Sequence, residues 1–147
     1  MNREKNIDLL LEAGLDEAAV LWEDHVRTQF VTSGGGKWAP LKTDTIKKRV
    51  SHGFKPSPAL TMRGKLKESF HIEKVIDGGR FGLELTWDDV SGYSFSKRAN
   101  TEPLDLPAIH HNGSGVIPAR KLFDSIYLEK VFDDVMQSKV KLFFTGR

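Results

Sequence analysis

Phe81-Gly82-Leu83-Glu84-Leu85-Thr86-Trp87 alternates large apolar side chains with small or polar ones. Successive side chains of an extended chain point to opposite faces, so the alternation predicts a strand with one face buried. Asp77-Gly78-Gly79 comes just before it, and Phe70 to Ile76 is apolar enough to pair back across that turn. Glycine supplies the positive φ angles that tight hairpin connections need. A β-hairpin over about residues 70–87 therefore decides the fold class, and the rest of the chain must cover it.

Upstream, Leu11, Leu15, Ala18, Ala19, Trp22, Val26 and Phe30 recur at steps of three and four residues. That spacing puts them on one stripe of a helix ending near Phe30. Glu12, Asp16, Glu17, Glu23, Asp24 and Arg27 fall between them, on the solvent side. Gly14 weakens the helix by about 1 kcal/mol relative to alanine, so Asn6 or Asp16 is the expected cap. Gly34-Gly35-Gly36 ends the helix in a loop with little steric restriction. Residues 37–58 are broken by Pro40, Pro56 and Pro58, with one short helix from Thr43 or Asp44 through Val50. A second short helix is expected over about Thr61 to Phe70. Downstream of the hairpin, residues 88–107 are polar and contain Gly92, Pro103 and Pro107. They predict a long loop with a short strand at Tyr93 to Phe95. Leu128, Val131, Phe132, Val135, Met136, Lys139 and Phe143 then share one side of a last helix that starts after Asp124 or Ser125.

The expected fold is α+β: a small antiparallel sheet packed by a long N-terminal helix and a C-terminal helix, with long mobile loops. The 147 residues are one domain's worth, enough to bury roughly 70% of the unfolded surface. The loops at about 33–58 and 88–107 are the expected mobile segments, ordering against neighbours. With 39% hydrophobic and 29% charged residues the chain is in the globular range. No apolar run approaches the roughly 20 residues of a membrane-spanning helix. No apolar stretch with a small-residue cleavage site follows Met1-Asn2-Arg3-Glu4-Lys5-Asn6, so no secretory signal is expected. The absence of cysteine excludes disulfides, thiolate metal sites and cysteine nucleophiles. A protein made and used in a cytoplasm is the expectation.

Charge is unevenly spread. Lys37 to Lys67 carries nine bases against Asp44 alone, a net of +8, which leaves −6 for the rest of a chain whose total is +2. Such polarity suits head-to-tail contact between copies, or a face turned to nucleic acid; a solvated loop and helix face is the plainer reading. Lys47, Lys48 and Arg63 are the candidates within it.

Residues with catalytic potential are few. His110-His111 would point to opposite faces of a strand, which is a poor arrangement for ligating one metal. His25, His52 and His71 have no zinc spacing to them. Gly34-Gly35-Gly36-Lys37 lacks the spacing of a phosphate-binding loop. Asp88-Asp89 and Asp133-Asp134 read as solvated faces. No cofactor, metal or catalytic residue is expected, and the chain is not expected to be an enzyme.

Four segments carry a resemblance. Gly36-Lys37-Trp38-Ala39-Pro40-Leu41, followed by Thr45 and Lys48, resembles the phage virion morphogenesis (tail-completion) family. That family has a glycine-containing loop after its first helix, then a Trp, a Pro-Leu pair, a Thr and a Lys. Leu60-Thr61-Met62-Arg63-Gly64-Lys65-Leu66 resembles its leucine and Thr-Gly step. Ile109-His110-His111-Asn112-Gly113 resembles an Ile-His-Gln and Gly segment, with His111 where glutamine is usual. Ile117-Pro118-Ala119-Arg120 resembles the Pro-Ala-Arg run before the family's last helix. The ordered set covers about residues 10–145.

The resemblance implies a structural protein acting late in tail assembly, at the head-proximal end of the tube. Its implied partners are further copies of itself in a ring, often hexameric, the tail tube, head-neck proteins, and DNA passing through the lumen. Its implied location is the virion, after assembly in the host bacterial cytoplasm. A ring needs one surface to complement a different one on the next copy, and bases in a lumen bind phosphate without reading sequence. Trp38, Pro40 and Leu41 read either as an anchor in a neighbour's pocket or as part of their own core. Arg120, entering the last helix behind Pro118, suits a bidentate carboxylate pair. The alternative is a small nucleic-acid-binding module using residues 37–67, although three prolines cut that segment and no helix-turn-helix spacing is apparent.

Overall fold

The structure is a computed structural model that describes residues 3–60, 64–88, 106–115 and 117–146. The expected strand at Tyr93 to Phe95, most of the 88–107 loop and Arg63 lie outside the described residues. The elements run α1 (Arg3–Thr32), α2 (Thr43–Ser51), α3 (Lys65–Glu68), β1 (Phe70–Asp77), β2 (Arg80–Trp87), α4 (Leu106–Asn112) and α5 (Ser125–Thr145). The fold is α+β, with a long N-terminal helix, a two-stranded antiparallel sheet and a long C-terminal helix. The chain divides into two compact units. Unit 1 holds residues 1–25, 72–86 and 124–147, and unit 2 holds residues 26–71 and 87–123.

In unit 1, Leu15, Ala18, Leu128 and Val135 form the core of the α1 and α5 segments, all at most 8% exposed. Burying each large aliphatic side chain contributes about 1.5–3 kcal/mol. Trp22 packs against Phe132 with ring centroids 6.4 Å apart, and its Nε1–H donates to the Leu128 carbonyl at 2.9 Å. At the edge of this core, Lys74 of β1 reaches Asp16 at 2.6 Å and Lys139 of α5 reaches Glu17 at 2.6 Å.

α1 starts at Arg3, earlier than either expected cap, and runs straight through Gly14. The reason is packing. A Cβ on Gly14 would come within 2.9 Å of Met136 Sδ and 3.0 Å of Lys139 Cγ. The missing side chain is what lets α5 approach, and that burial outweighs glycine's weak helical propensity. α5 begins where the sequence places it: Asp124 is its N-cap, and its side chain accepts a hydrogen bond from Tyr127 N–H.

The hairpin turns at Gly78-Gly79, with φ of 54° and 81°. Glu84 points outward while its neighbours on β2 are half-buried; on β1, Phe70 is buried and the far end is exposed. Phe70, together with Val26, Phe30, Trp38, Ala59, Leu66 and Leu122, belongs to the core of unit 2. α2 ends at Ser51, within a residue of expectation, although Lys42 rather than a side-chain cap precedes it. Of the second short helix, the described residues show Lys65–Glu68, with Gly64 before it in the left-handed conformation and Phe70 already in β1.

His110 and His111 lie on α4, a helix, and not on a strand. Pro107, read from the sequence as a loop marker, sits in the first turn of that helix. There its missing N–H costs nothing, because first-turn donors have no partner within the helix.

Candidate functional site

Three of the four segments that carry the resemblance meet in unit 2. The sequence around Trp38 makes the meeting possible. Gly34 has φ of 68°, and a Cβ there would stand 2.4 Å from Trp38 Cδ1. Only glycine satisfies both the left-handed turn and the close approach of the indole. The loop closes with Gly34 N–H donating to the Gln29 carbonyl and Trp38 N–H to the Ser33 carbonyl, at 2.8 and 3.0 Å. Trp38 thereby folds back onto Phe30, edge to face at 5.7 Å, and is 7% exposed.

From this position Trp38 Nε1–H donates to the carbonyl of Lys121 at 2.9 Å. Arg120 Nε donates to the neighbouring carbonyl of Ala39 at 3.2 Å. Arg120 backbone N–H donates to the carbonyl of His110 at 2.7 Å, and Leu122 N–H donates to His111 Nδ1 at 3.1 Å. Four hydrogen bonds thus tie residues 38–39 and 110–111 to the single strip 120–122. Gly113 completes the node. Its φ is 79°, and a Cβ would meet Ala119 N at 2.9 Å and Ile117 O at 3.0 Å. The strip passes against bare backbone at that point.

The node is held by packing on its other side. Phe123 lies between Trp87 (5.8 Å) and His111 (4.5 Å), and Trp87 contacts Phe70 at 6.4 Å. Such ring pairs contribute about 0.5–1.5 kcal/mol beyond their burial. Burial keeps both histidines below the ordinary imidazole pKa of 6.5, helped by Arg120 at His110 and by Lys121 at His111. A neutral ring is what His111 needs, because only an unprotonated Nδ1 can accept from Leu122 N–H. Among the described residues, His110 Nδ1 and Trp87 Nε1 are buried without a hydrogen-bond partner.

Sequence-level expectations for the node divide. Trp38 is a core residue of its own unit, with no surface left for a neighbour's pocket. Pro40 and Pro118 are exposed and Leu41 is half-buried. Arg120 is 5% exposed, but among the described residues no carboxylate pairs with it. It donates to a backbone carbonyl instead. The expected carboxylate is thus not among the described residues, and the bond that is seen fits a guanidinium at a chain crossing, where it is an apt donor to main-chain oxygen.

Lys47 and Lys48 are exposed on α2, and neither has an ion-pair partner among the described residues. Arg49 between them and Val50 differs from its neighbours in kind. It is 5% exposed, and its Nη1 donates to the carbonyls of Pro56 and Pro58 at 3.2 and 3.0 Å. Sequence reading counted it as one more solvated base. The available signal was its position three residues after the half-buried Ile46, on the inner face of α2.

His25 was also missed. In unit 1 its Nε2 accepts from Asp124 N–H at 3.0 Å, and its ring stacks on Tyr127 at 4.5 Å. Burial lowers its pKa, against a smaller opposing pull from Asp124. His71 pairs with Asp88 at 2.8 Å at the open end of the hairpin. Among the described residues no three His, Cys, Asp or Glu side chains gather as metal ligands. No helix among them is long and apolar enough to cross a membrane.

The charge polarity of the sequence follows the two units. Unit 2 carries fourteen bases and six acids, a net of +8, and unit 1 carries eight bases and fourteen acids, a net of −6. Comparison with protein-family models, curated proteins and solved structures gives no match to this chain.

Proposed function

We propose that this chain is a structural protein of a tailed bacteriophage that completes the tail at its head-proximal end. It acts there as a ring of identical copies that contacts the tail tube and the head-neck proteins. Its place is the mature virion, and it is made in the host bacterial cytoplasm. One observation carries the reading. The segments around Trp38, His110-His111 and Arg120, which resemble the virion morphogenesis family, converge on one hydrogen-bonded node. Landmarks scattered over 80 residues of sequence have a common physical purpose when they hold one crossing together. The node's side chains bond backbone and pack rings, so it braces the strip leading to α5 rather than presenting reactive groups.

The test is tail capping. Purified chain is added to tail tubes that lack their terminal protein, and electron microscopy scores tube ends and length. The reading expects density at one end of each tube and restored joining to heads. Tubes left bare at every protein concentration overturn it.

A second reading is a small nucleic-acid-binding module, favoured by the exposed lysines of α2. It expects the isolated chain to bind duplex DNA tightly, with an affinity that falls steeply and linearly on a logarithmic salt scale. A ring protein whose lysines line a lumen binds DNA weakly as a free subunit.

A further inference from the structure

Building on the assembly reading above, we infer that the solvent face of α1 in unit 1 seats the α2 face of unit 2 from a second copy. On a helix turning 100° per residue, Leu9, Ala13 and Val20 run along the middle of the face of α1 turned away from its buried stripe. Leu9 and Val20 are 63% and 58% exposed. Scattered exposed aliphatics are ordinary, but these three are aligned and bordered by carboxylates. Glu12 and Glu23 flank the seam on one side and Asp24 on the other, all exposed. Asp16 and Glu17, in the same region, pair with Lys74 and Lys139, and Glu12 also acts on Lys74 through space.

The complementary surface is on α2. Val50 is 54% exposed and lies one turn beyond Lys47, which is also exposed; Lys48 is exposed on the other side of the helix. An exposed apolar side chain beside an ammonium group matches an apolar seam bordered by carboxylates. Net charges of −6 and +8 on the two units give the same pairing at longer range. Other occupants fit worse. A second α1 face would set Glu12, Glu23 and Asp24 against their own kind, and like charges in a contact oppose association. A phosphate backbone is repelled by the same acidic border. The contact is thus between two different surfaces, which propagates from copy to copy and closes when the rotation allows.

The experiment is a charge swap followed by sedimentation. One variant carries Glu12→Lys with Asp24→Lys, and the other carries Lys47→Glu with Lys48→Glu. None of the four side chains has an ion-pair partner among the described residues, and melting curves check that each variant folds. Wild type should associate at low salt and dissociate as salt rises, since screening shortens the reach of exposed charges to about 8 Å at physiological strength. Each variant alone should be monomeric, having two faces of like sign. An equimolar mixture should associate again, because the altered α1 of one variant suits the altered α2 of the other, and their unaltered faces suit each other as in the wild type. A mixture that stays monomeric, variants that associate like wild type, or a wild type monomeric at low salt up to millimolar concentration each overturns the interface. Tail capping by copies that associate through another face would overturn it while leaving the tail-completion reading standing. Rescue by mixing, with tubes left bare, would do the reverse.

Discussion

Two histidines in this chain serve as hydrogen-bond acceptors for main chain, and that fixes their protonation. His25 Nε2 accepts from Asp124 N–H, and His111 Nδ1 accepts from Leu122 N–H. A protonated imidazole has two donors and no acceptor, so acid turns each bond into a clash of hydrogens. Burial depresses the pKa of both rings, and of His110, below 6.5. The folded state therefore binds protons less readily than the unfolded one. Their contribution is fully present above the unfolded value of about 6.5 and is lost as pH falls through the folded values. The melting temperature should fall as pH drops from neutral into that window. His111→Gln, whose amide oxygen can still accept, should flatten part of the fall, and proton NMR titration of the ring signals gives the individual pKa values. A melting temperature that is level from neutral pH to well below 6 contradicts the acceptor roles. Trp38 gives a second prediction at this scale. Trp38→Phe keeps the ring contact with Phe30 but strands the Lys121 carbonyl. A part-buried carbonyl left unmet costs up to about 1–3 kcal/mol, readable by denaturant unfolding.

At the scale of elements, periodicity was legible and contact was not. The α1 stripe, the hairpin and the α5 stripe follow from spacing alone, because a helix or strand presents every third, fourth or second residue to whatever covers it. The start of α1 is not legible in the sequence, because Gly14 weakens a helix on its own and helps it only through its contact with Met136 and Lys139. That contact joins residues more than a hundred positions apart, and no local pattern encodes it. α4 was missed because Pro107 resembles a breaker when its place in the first turn is unknown. The node was half legible: its residues were singled out by resemblance, yet Trp38 as a buried donor and Arg120 as a carbonyl binder depend on which backbone crosses which. Gly14 allows a direct test. Gly14→Ala should gain less than the about 1 kcal/mol of helix propensity, because the new methyl meets Met136 Sδ at 2.9 Å. Trimming that neighbour with Met136→Ala should make the same substitution more favourable. A double-mutant cycle on urea midpoints should show a coupling of about 0.5–3 kcal/mol, the range for residues in contact. Strict additivity would mean that α1 and α5 do not meet at Gly14.

For the whole molecule, one pair of variants separates the proposed assembly role from a catalytic one. In the tail-completion reading, the histidines are packing and acceptor groups. Replacing His110 and His111 together with Gln should then leave phage assembly intact, or impair it only as far as the fold is weakened. If the pair were catalytic, function would vanish while the protein folded and entered particles normally. Arg120→Ala should behave differently from the histidine variant. It removes the Nε–H that meets the Ala39 carbonyl, and it opens a buried volume between segments that the strip 120–122 joins. Among the described residues the bond lost is the one to the Ala39 carbonyl, which costs up to about 1–3 kcal/mol when left unmet, plus packing. The marginal stability of a domain, about 5–15 kcal/mol in total, makes that loss visible as a lower melting temperature and fewer completed tails at elevated growth temperature. Complementation of a phage lacking the gene, with micrographs of the lysates and a melting curve for each variant, supplies all three readouts. A double-histidine variant that melts normally, enters particles and yields no infectious phage, beside a silent Arg120→Ala, would overturn the structural assignment. Defects that track melting temperature across both variants are what a load shared by the node predicts, because a brace fails in proportion to its stability and a catalyst does not.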